Sequence, residues 1–437
     1  MWVVLVLAGC AAACATGASP DRAQVGADLS SRTGVVTALV AAPGGAWTPP
    51  PGMSLSDGLE IDEAVAIALW SNPEFQVTLA SLGLARADLV EAGLLRNPIF
   101  SLLFPWGPKQ LEFTLTWPID ALWQRPKRVA DATLNAEAIG QQMVANGLTL
   151  VTDVRMAFFD ALLAEQHAAL AGEQAAIATQ AATMSDGRLR VGDISEFDAR
   201  LVRADAVRLE SLRLKQQGAR DLAVIRLRSL LGVPIETAAV TLVSPQAAAA
   251  PCPTGLPPLL ETALAARPEV RAAELQVEAA GARAGLERSR IFTLTASLDA
   301  NAKGSSGFEM GPGLAVELPV FSQNQGRRAR TAAELDQASR RYLAVRATVA
   351  TQVATALATL YEARQTALLL NAETTASLAG AKQQAERLHQ AGEISLLALL
   401  DTRQRLIEIE TARVDAAFGV SRALVRLEHA IGRRCVP

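Results

Sequence analysis

Two periodicities run along the chain, and each occurs twice in the same order. Leu111-Glu112-Phe113-Thr114-Leu115-Thr116-Trp117 alternates strictly, with Leu, Phe, Leu and Trp on one side and Glu and Thr on the other. Leu314-Ala315-Val316-Glu317-Leu318 alternates likewise. Period two predicts strands with unlike faces. We place them at 111–117 and 313–320, each paired with an earlier strand, 99–104 and 292–300. Pro105–Gln110 and the Gly/Ser-rich Asn301–Pro312 would join the pairs. Each strand approaches the roughly ten residues that cross a bilayer as tilted β-structure. The alternative, a soluble sheet edge, leaves the apolar faces uncovered.

After each strand pair the pattern turns helical. No proline falls between Pro126 and Pro234, nor between Pro319 and Pro437, and both tracts are rich in Ala, Leu, Gln, Glu and Arg. Such tracts exceed one globular helix and predict helical hairpins at 127–232 and 327–432. Gly192 and Gly392, flanked by polar residues near the tract middles, are the reversal points. Apolar spacing such as Leu396, Leu399, Leu400, Leu406, Ile407, Val414 and Phe418 fits coiled-coil packing.

The order of landmarks reveals a duplication. Asn72-Pro73-Glu74 is matched by Arg267-Pro268-Glu269, and Trp117-Pro118-Ile119 by Leu318-Pro319-Val320. A basic stretch follows in each copy: Gln124, Arg125, Lys127 and Arg128, then Asn324 to Arg328. These basic groups suit interfacial anchoring or a solvated helix start. Arg190-Val191-Gly192-Asp193-Ile194-Ser195 corresponds to Gln390-Ala391-Gly392-Glu393-Ile394-Ser395, and Leu231-Gly232 to Ile431-Gly432. The repeats are therefore 55–243 and 259–433, joined by the Pro/Ala-rich 244–258.

Composition narrows the class. Half of the 437 residues are hydrophobic but only 4% are aromatic, which favours long helices packed through small side chains. Forty-one basic residues nearly balance 44 acidic ones, so there is no nucleic-acid footprint. Beyond the first residues, no apolar run approaches the roughly 18–20 of a membrane-spanning helix, which excludes a polytopic helical transporter. His167, His389 and His429 are scattered, and no catalytic or nucleotide-binding motif is found. The chain is expected to be no enzyme and to hold no cofactor or metal.

The first nine residues read as a signal peptide. Met1–Leu7 is apolar, and Leu7-Ala8-Gly9-Cys10 resembles the lipobox of bacterial lipoproteins, which would make Cys10 the site of lipid attachment and 10–54 a lipidated N-terminal segment. Ala11, where an acid would favour retention at the inner membrane, points to the outer membrane. No Lys or Arg precedes the apolar run, which suggests a start further upstream. A plain secretory signal is the alternative, and Cys14 a rival attachment site. Cys252 and Cys435 are either a disulfide, in an oxidising compartment, or two free thiols.

Signal, helix, strand pair and helical hairpin, twice over, resemble the TolC family of outer-membrane efflux proteins across about residues 55 to 433. Asn72-Pro73-Glu74, Ala92-Gly93-Leu94-Leu95-Arg96-Asn97-Pro98 and the two tip motifs carry the resemblance. It implies an α+β membrane protein: a homotrimer whose two β-hairpins per chain complete a twelve-stranded outer-membrane barrel, continued by a periplasmic helical tunnel. Four strands cannot close on themselves, and an open edge in lipid leaves backbone groups unpaired, so closure by other copies agrees with the physics. The resemblance further implies a periplasmic adaptor docked at Val191, Gly192, Ala391 and Gly392, and through it an inner-membrane pump. Asp198 and Asp401 become a candidate acidic gate; the alternative for each is an exposed helical acid paired with a neighbouring arginine. Within the family, the heavy-metal branch is favoured over the multidrug branch, with type I polypeptide secretion as a third reading. From other classes, a periplasmic adaptor has one hairpin rather than two, and a structural coiled-coil lipoprotein needs no alternating strands.

Overall fold

The structure, a computed structural model, describes residues 20–36, 39, 47–53, 58–104, 111–234, 240–244, 255–302, 308–370 and 372–435. Cys10, Cys14 and Cys252 lie outside these residues. The first repeat runs through α2 (Ile61–Ser71), α3 (Pro73–Gly93), β1 (Ile99–Leu103), β2 (Glu112–Pro118), α4 (Asp120–Arg190) and α5 (Glu196–Leu231), preceded by α1 (Arg22–Thr33). The second runs through α6 (Leu256–Ala266), α7 (Pro268–Ser289), β3 (Leu294–Ala302), β4 (Phe308–Val316), α8 (Gln325–Leu369), α9 (Ala372–Gln390) and α10 (Leu396–Ile431). Two compact units result, and each takes segments from both repeats: 77–145 with 268–348, and 26–76 with 146–267 and 349–437.

The first unit holds the sheet. Its order is β1-β2-β3-β4, antiparallel throughout. Register puts Phe100, Leu102, Phe113, Leu115, Trp117 and Leu298 on one face, continued by Ala296, Ala300, Met310, Pro312 and Leu314. Ser101, Thr114, Thr116, Ser297, Asp299 and Asn301 occupy the other, with Glu112 and Glu309, and with Ile99 and Leu103 at the two ends of β1. Phe100 stacks diagonally on Phe113, with ring centroids 6.4 Å apart. β4 differs from the expected 313–320: it begins at Phe308 and ends at Val316. The stretch of Gly311, Pro312 and Gly313 hid it, because it breaks the alternation. Within one chain β4 is an edge strand, the place in a sheet where a proline, lacking an N–H, is accommodated. Gly313 lies against Ser297, whose Oγ would be 2.4 Å from any Cβ at that position.

α4 starts at Asp120, ahead of the expected 127, and carries Pro126 inside it. So early in a helix, the missing N–H costs one bond without ending the run. α4 continues for 71 residues, whereas the matching arm of the second repeat leaves the helix at Leu370 and resumes at Ala372. α8 also corrects the reading of apolar runs, since one 18-residue window reaches a mean hydropathy of 1.3. Its length and composition would suffice to cross a membrane, although small Ala, Thr and Val supply the apolarity. α4, α7 and α8 are tied by Arg283, which bridges Asp131 at 3.2 Å and Glu334 at 3.5 Å.

The second unit is organised by paired stops. Asn72 caps α3 by accepting from the Phe75 amide at 2.8 Å and donates through Nδ2 to Leu230 O at 2.9 Å. At the matching position Arg267 donates to His429 O at 2.6 Å and to Gln352 Oε1 at 3.1 Å. Each Pro-Glu motif thus starts a helix at N1 and locks the end of the returning helix. Arg155 is buried among Asp62 (3.5 Å), Glu428 (3.1 Å) and the Thr33 carbonyl (3.5 Å). Burial and the nearby Arg434 draw its pKa down, while Glu428 and Asp62 hold it charged. Cys435 is disulfide-bonded, and its amide donates to Glu428 Oε1 at 3.1 Å.

Candidate functional site at the hairpin tips

The helix reversals are built by one device, used in both repeats. Gly192 has φ +75° and Gly392 φ +77°, values that L side chains rarely adopt. The Gly192 amide donates to Leu189 O at 3.0 Å and the Asp193 amide to Arg188 O at 2.9 Å. Gly392 to His389 O and Glu393 to Leu388 O, both 2.9 Å, repeat the pattern. These are Schellman stops, which satisfy the last carbonyls of α4 and α9. Ser195 and Ser395 then cap the returning helices, accepting from Asp198 N at 3.1 Å and Ala398 N at 3.2 Å. Ion pairs brace the arms at matching positions: Arg203 with Asp186 at 2.7 Å, and Arg403 with Glu386 at 2.8 Å.

Space in front of the tip glycines is open, with no atom within 4 Å of a Cβ built at Gly192 or Gly392. Val191 is 79% exposed, and Ala391 is exposed. All four residues predicted to dock a partner are therefore accessible on tight, uncovered turns.

Asp198 and Asp401 meet at one cavity of about 800 Å³, between the ends of α4, α5 and α10. They are not repeat equivalents: Asp198 corresponds to Ala398 and Asp401 to Leu201, and all four positions line the cavity. Asp198 accepts from the Ser195 hydroxyl at 2.7 Å, while Asp401 pairs with Arg405 at 3.0 Å. Arg200 binds Glu196 at 2.6 Å and Arg403 takes Glu386, so neither is the partner of these two acids among the described ion pairs. Sequence reasoning missed Asp205 and Ser185 in the same wall. Asp205 could have been found by stepping seven residues, two helical turns, from Asp198. Nothing marked Ser185, a buried hydroxyl with no hydrogen-bond partner. Among the described residues no group of three or more His, Cys, Asp or Glu could hold a metal ion. The cavity can seat a partner; of its three acids, Asp205 pairs with Arg208 at 2.9 Å and Asp401 with Arg405, and Arg188 lines the same wall.

Comparison with known proteins agrees with this architecture. Residues 259–433 match the outer membrane efflux protein family. The cobalt-zinc-cadmium resistance protein CzcC of Cupriavidus metallidurans is 24% identical over 381 residues, 86% of this chain and 90% of that protein. The crystal structure of CusC, described in connection with transmembrane channel formation, superposes with a TM-score of 0.69 at 20% identity, covering 90% of this chain and 99% of that one. The Campylobacter jejuni CmeC outer membrane channel gives a TM-score of 0.72 at 15% identity over 90% of each chain.

Proposed function

We propose that the protein is the outer-membrane duct of a tripartite efflux system; the match of residues 259–433 to the outer membrane efflux protein family and a fold shared with such channels over nine-tenths of the chain support this reading. The observation that carries this reading is the sheet. One face is apolar and the other polar, and β1 and β4 are left as edges. An isolated four-stranded sheet of that kind satisfies neither water nor lipid. Three copies supply twelve strands, lipid outside and water inside, with every edge paired. The return helix α5 supports assembly as well, because Phe197, Leu201, Val207, Leu214, Leu222 and Ile225 are all exposed along it. A trimer gives such a stripe a partner.

The duct is passive. Energy comes from an inner-membrane pump, reached through an adaptor seated on the open tips at Val191, Gly192, Ala391 and Gly392. Asp198, Asp205 and Asp401 make the periplasmic end favourable to cations. The name of the cobalt-zinc-cadmium resistance relative supports metal cations as cargo. Cys10 takes the lipid anchor, and Cys252 is the partner of Cys435.

A deletion strain, complemented by the intact gene, tests the reading. We expect sensitivity to Cu, Zn, Co, Cd or Ni salts, with little change toward hydrophobic drugs and detergents. Drug sensitivity alone would transfer the protein to the multidrug branch. Normal growth on the whole panel would leave polypeptide export as the better reading. Bulky residues at both Gly192 and Gly392 should reduce export while trimers persist in the outer membrane; undiminished export would refute docking at the tips.

A further inference from the structure

We propose that a cluster of four arginines where the sheet passes into the helices, Arg96, Arg125, Arg128 and Arg290, is a binding site for the phosphate of an anionic membrane phospholipid in the periplasmic leaflet. The inference rests on the reading of the sheet as membrane-spanning, because that places this end of the strands at headgroup level.

The cluster is assembled by one backbone turn. Arg125 Nε donates to Gly93 O at 2.6 Å, and Arg128 donates to Leu94 O at 2.9 Å, so both guanidiniums gather on the end of α3. Arg96 follows two residues later and is exposed; its carbonyl accepts from Trp117 Nε1 at 2.9 Å, which pins the segment to the last turn of β2. Arg290, at the end of α7, pairs with Glu287 at 2.5 Å. Burial draws the Arg128 pKa down, and Arg290, Arg96 and Arg125 add to the effect, so the four charges share one locality. Asp120 opposes them there, holding Arg128 charged, but its Oδ2 accepts from Gln124 at 3.0 Å. Arg128 Nε is buried with no hydrogen-bond partner. Four cations against two carboxylates leave an excess of positive charge beside that unpaired Arg128 donor, which suits an oxygen-rich anion.

The surroundings select a lipid over a free anion. Leu94, Leu122 and Trp123 are exposed beside the cluster, and Phe100 and Leu102 are exposed along the apolar face of β1. Arginine beside tryptophan at the rim of an apolar face is the pattern that settles at a headgroup boundary. A soluble anion would use the charges and leave the apolar rim wet. A diacyl phospholipid covers both.

The test uses the full-length trimer in mild detergent and reads lipid retention by native mass spectrometry. Phosphatidylglycerol, phosphatidylcholine and inorganic phosphate are offered separately and in competition. We expect phosphatidylglycerol to be retained over phosphatidylcholine. Arg96→Glu, on an exposed side chain that leaves the turn intact, should lower retention roughly tenfold, with Arg96→Lys in between. Arg220→Gln, on exposed surface elsewhere, should match the wild type. Equal retention in Arg96→Glu and the wild type would overturn the site. Displacement of phosphatidylglycerol by an equal concentration of inorganic phosphate would overturn the lipid as its ligand. Recovery of the chain in the soluble fraction, without detergent, would instead remove the membrane reading on which the inference stands.

Discussion

Four glycines share one conformation, yet their surroundings differ enough to separate turn-making from packing. Gly192, Gly232, Gly392 and Gly432 all have φ between +67° and +77°. Any replacement costs about 1–2 kcal/mol for the left-handed backbone alone. At Gly232 a Cβ would also stand 2.3 Å from Ser71 O, a backbone atom that cannot swing aside. Gly232→Ala should therefore lower the melting temperature of the protein well beyond Gly192→Ala, whose Cβ meets nothing within 4 Å. Equal shifts would mean that the contact at Ser71 is not made. The 200-residue spacing identified all four as stops from the sequence, but only the structure shows which stop is packed. Arg155 was not visible at all. In a tract full of arginines it looks solvated, and its burial follows from Asp62 and Glu428, 93 and 273 positions away. Arg155→Ala should lower the melting temperature of the purified protein, since it takes from Glu428 its cation and leaves Asp62 to Arg434 alone; an unchanged melting temperature would show that the buried guanidinium contributes nothing.

At the scale of elements, strands were readable in proportion to how cleanly they alternate. β2 shows both faces in seven consecutive residues, and its register follows. β4 does not, because glycine and proline stand where the edge and the close approach to Ser297 require them. Such departures follow from three-dimensional neighbours and leave no periodic trace. The two faces of β2 invite a direct comparison. Leu115→Arg puts a cation on the apolar side and should cost about 2–4 kcal/mol near the bilayer centre, blocking insertion. Thr114→Arg, one residue away on the polar side, should insert normally. Heat-resistant trimer in outer-membrane fractions distinguishes them, and similar yields would show that the apolar face does not meet lipid. Helices carry a pH signature of their own. Glu210 and Glu410, equivalent in the two repeats, are held below the ordinary glutamate range by hydrogen bonds from Arg213 and Arg413. Their contribution is present in full above that range and is lost as pH falls below it, through the lowered native values.

For the whole molecule, the repeats are visible as sequence but do not correspond to bodies. Tandem repeats suggest two domains in succession, whereas each compact unit is made from matching slices of both. The cause is that neither repeat can cover its own apolar surface. Two strands do not form an independent sheet, β2 takes β3 of the other repeat as its neighbour, and Arg155 and Asp160 of α4 pair with Glu428 and Arg422 of α10. Expressed alone, 55–243 or 259–435 should fail to fold, with co-expression restoring assembled protein. A soluble, cooperatively melting half would contradict this interleaving.

The tips were described as copies of one turn, and that is true of the backbone alone. The walls behind them differ, with aspartate and leucine in one repeat where the other has alanine and aspartate. In the proposed trimer, six knuckles of one backbone shape would stand above six seats of two alternating kinds. A partner that reads only shape meets sixfold symmetry, while one that reads charge meets threefold. Six copies of a single adaptor could not all sit alike on such a ring. They would divide into two classes, distinguishable by which repeat lies beneath.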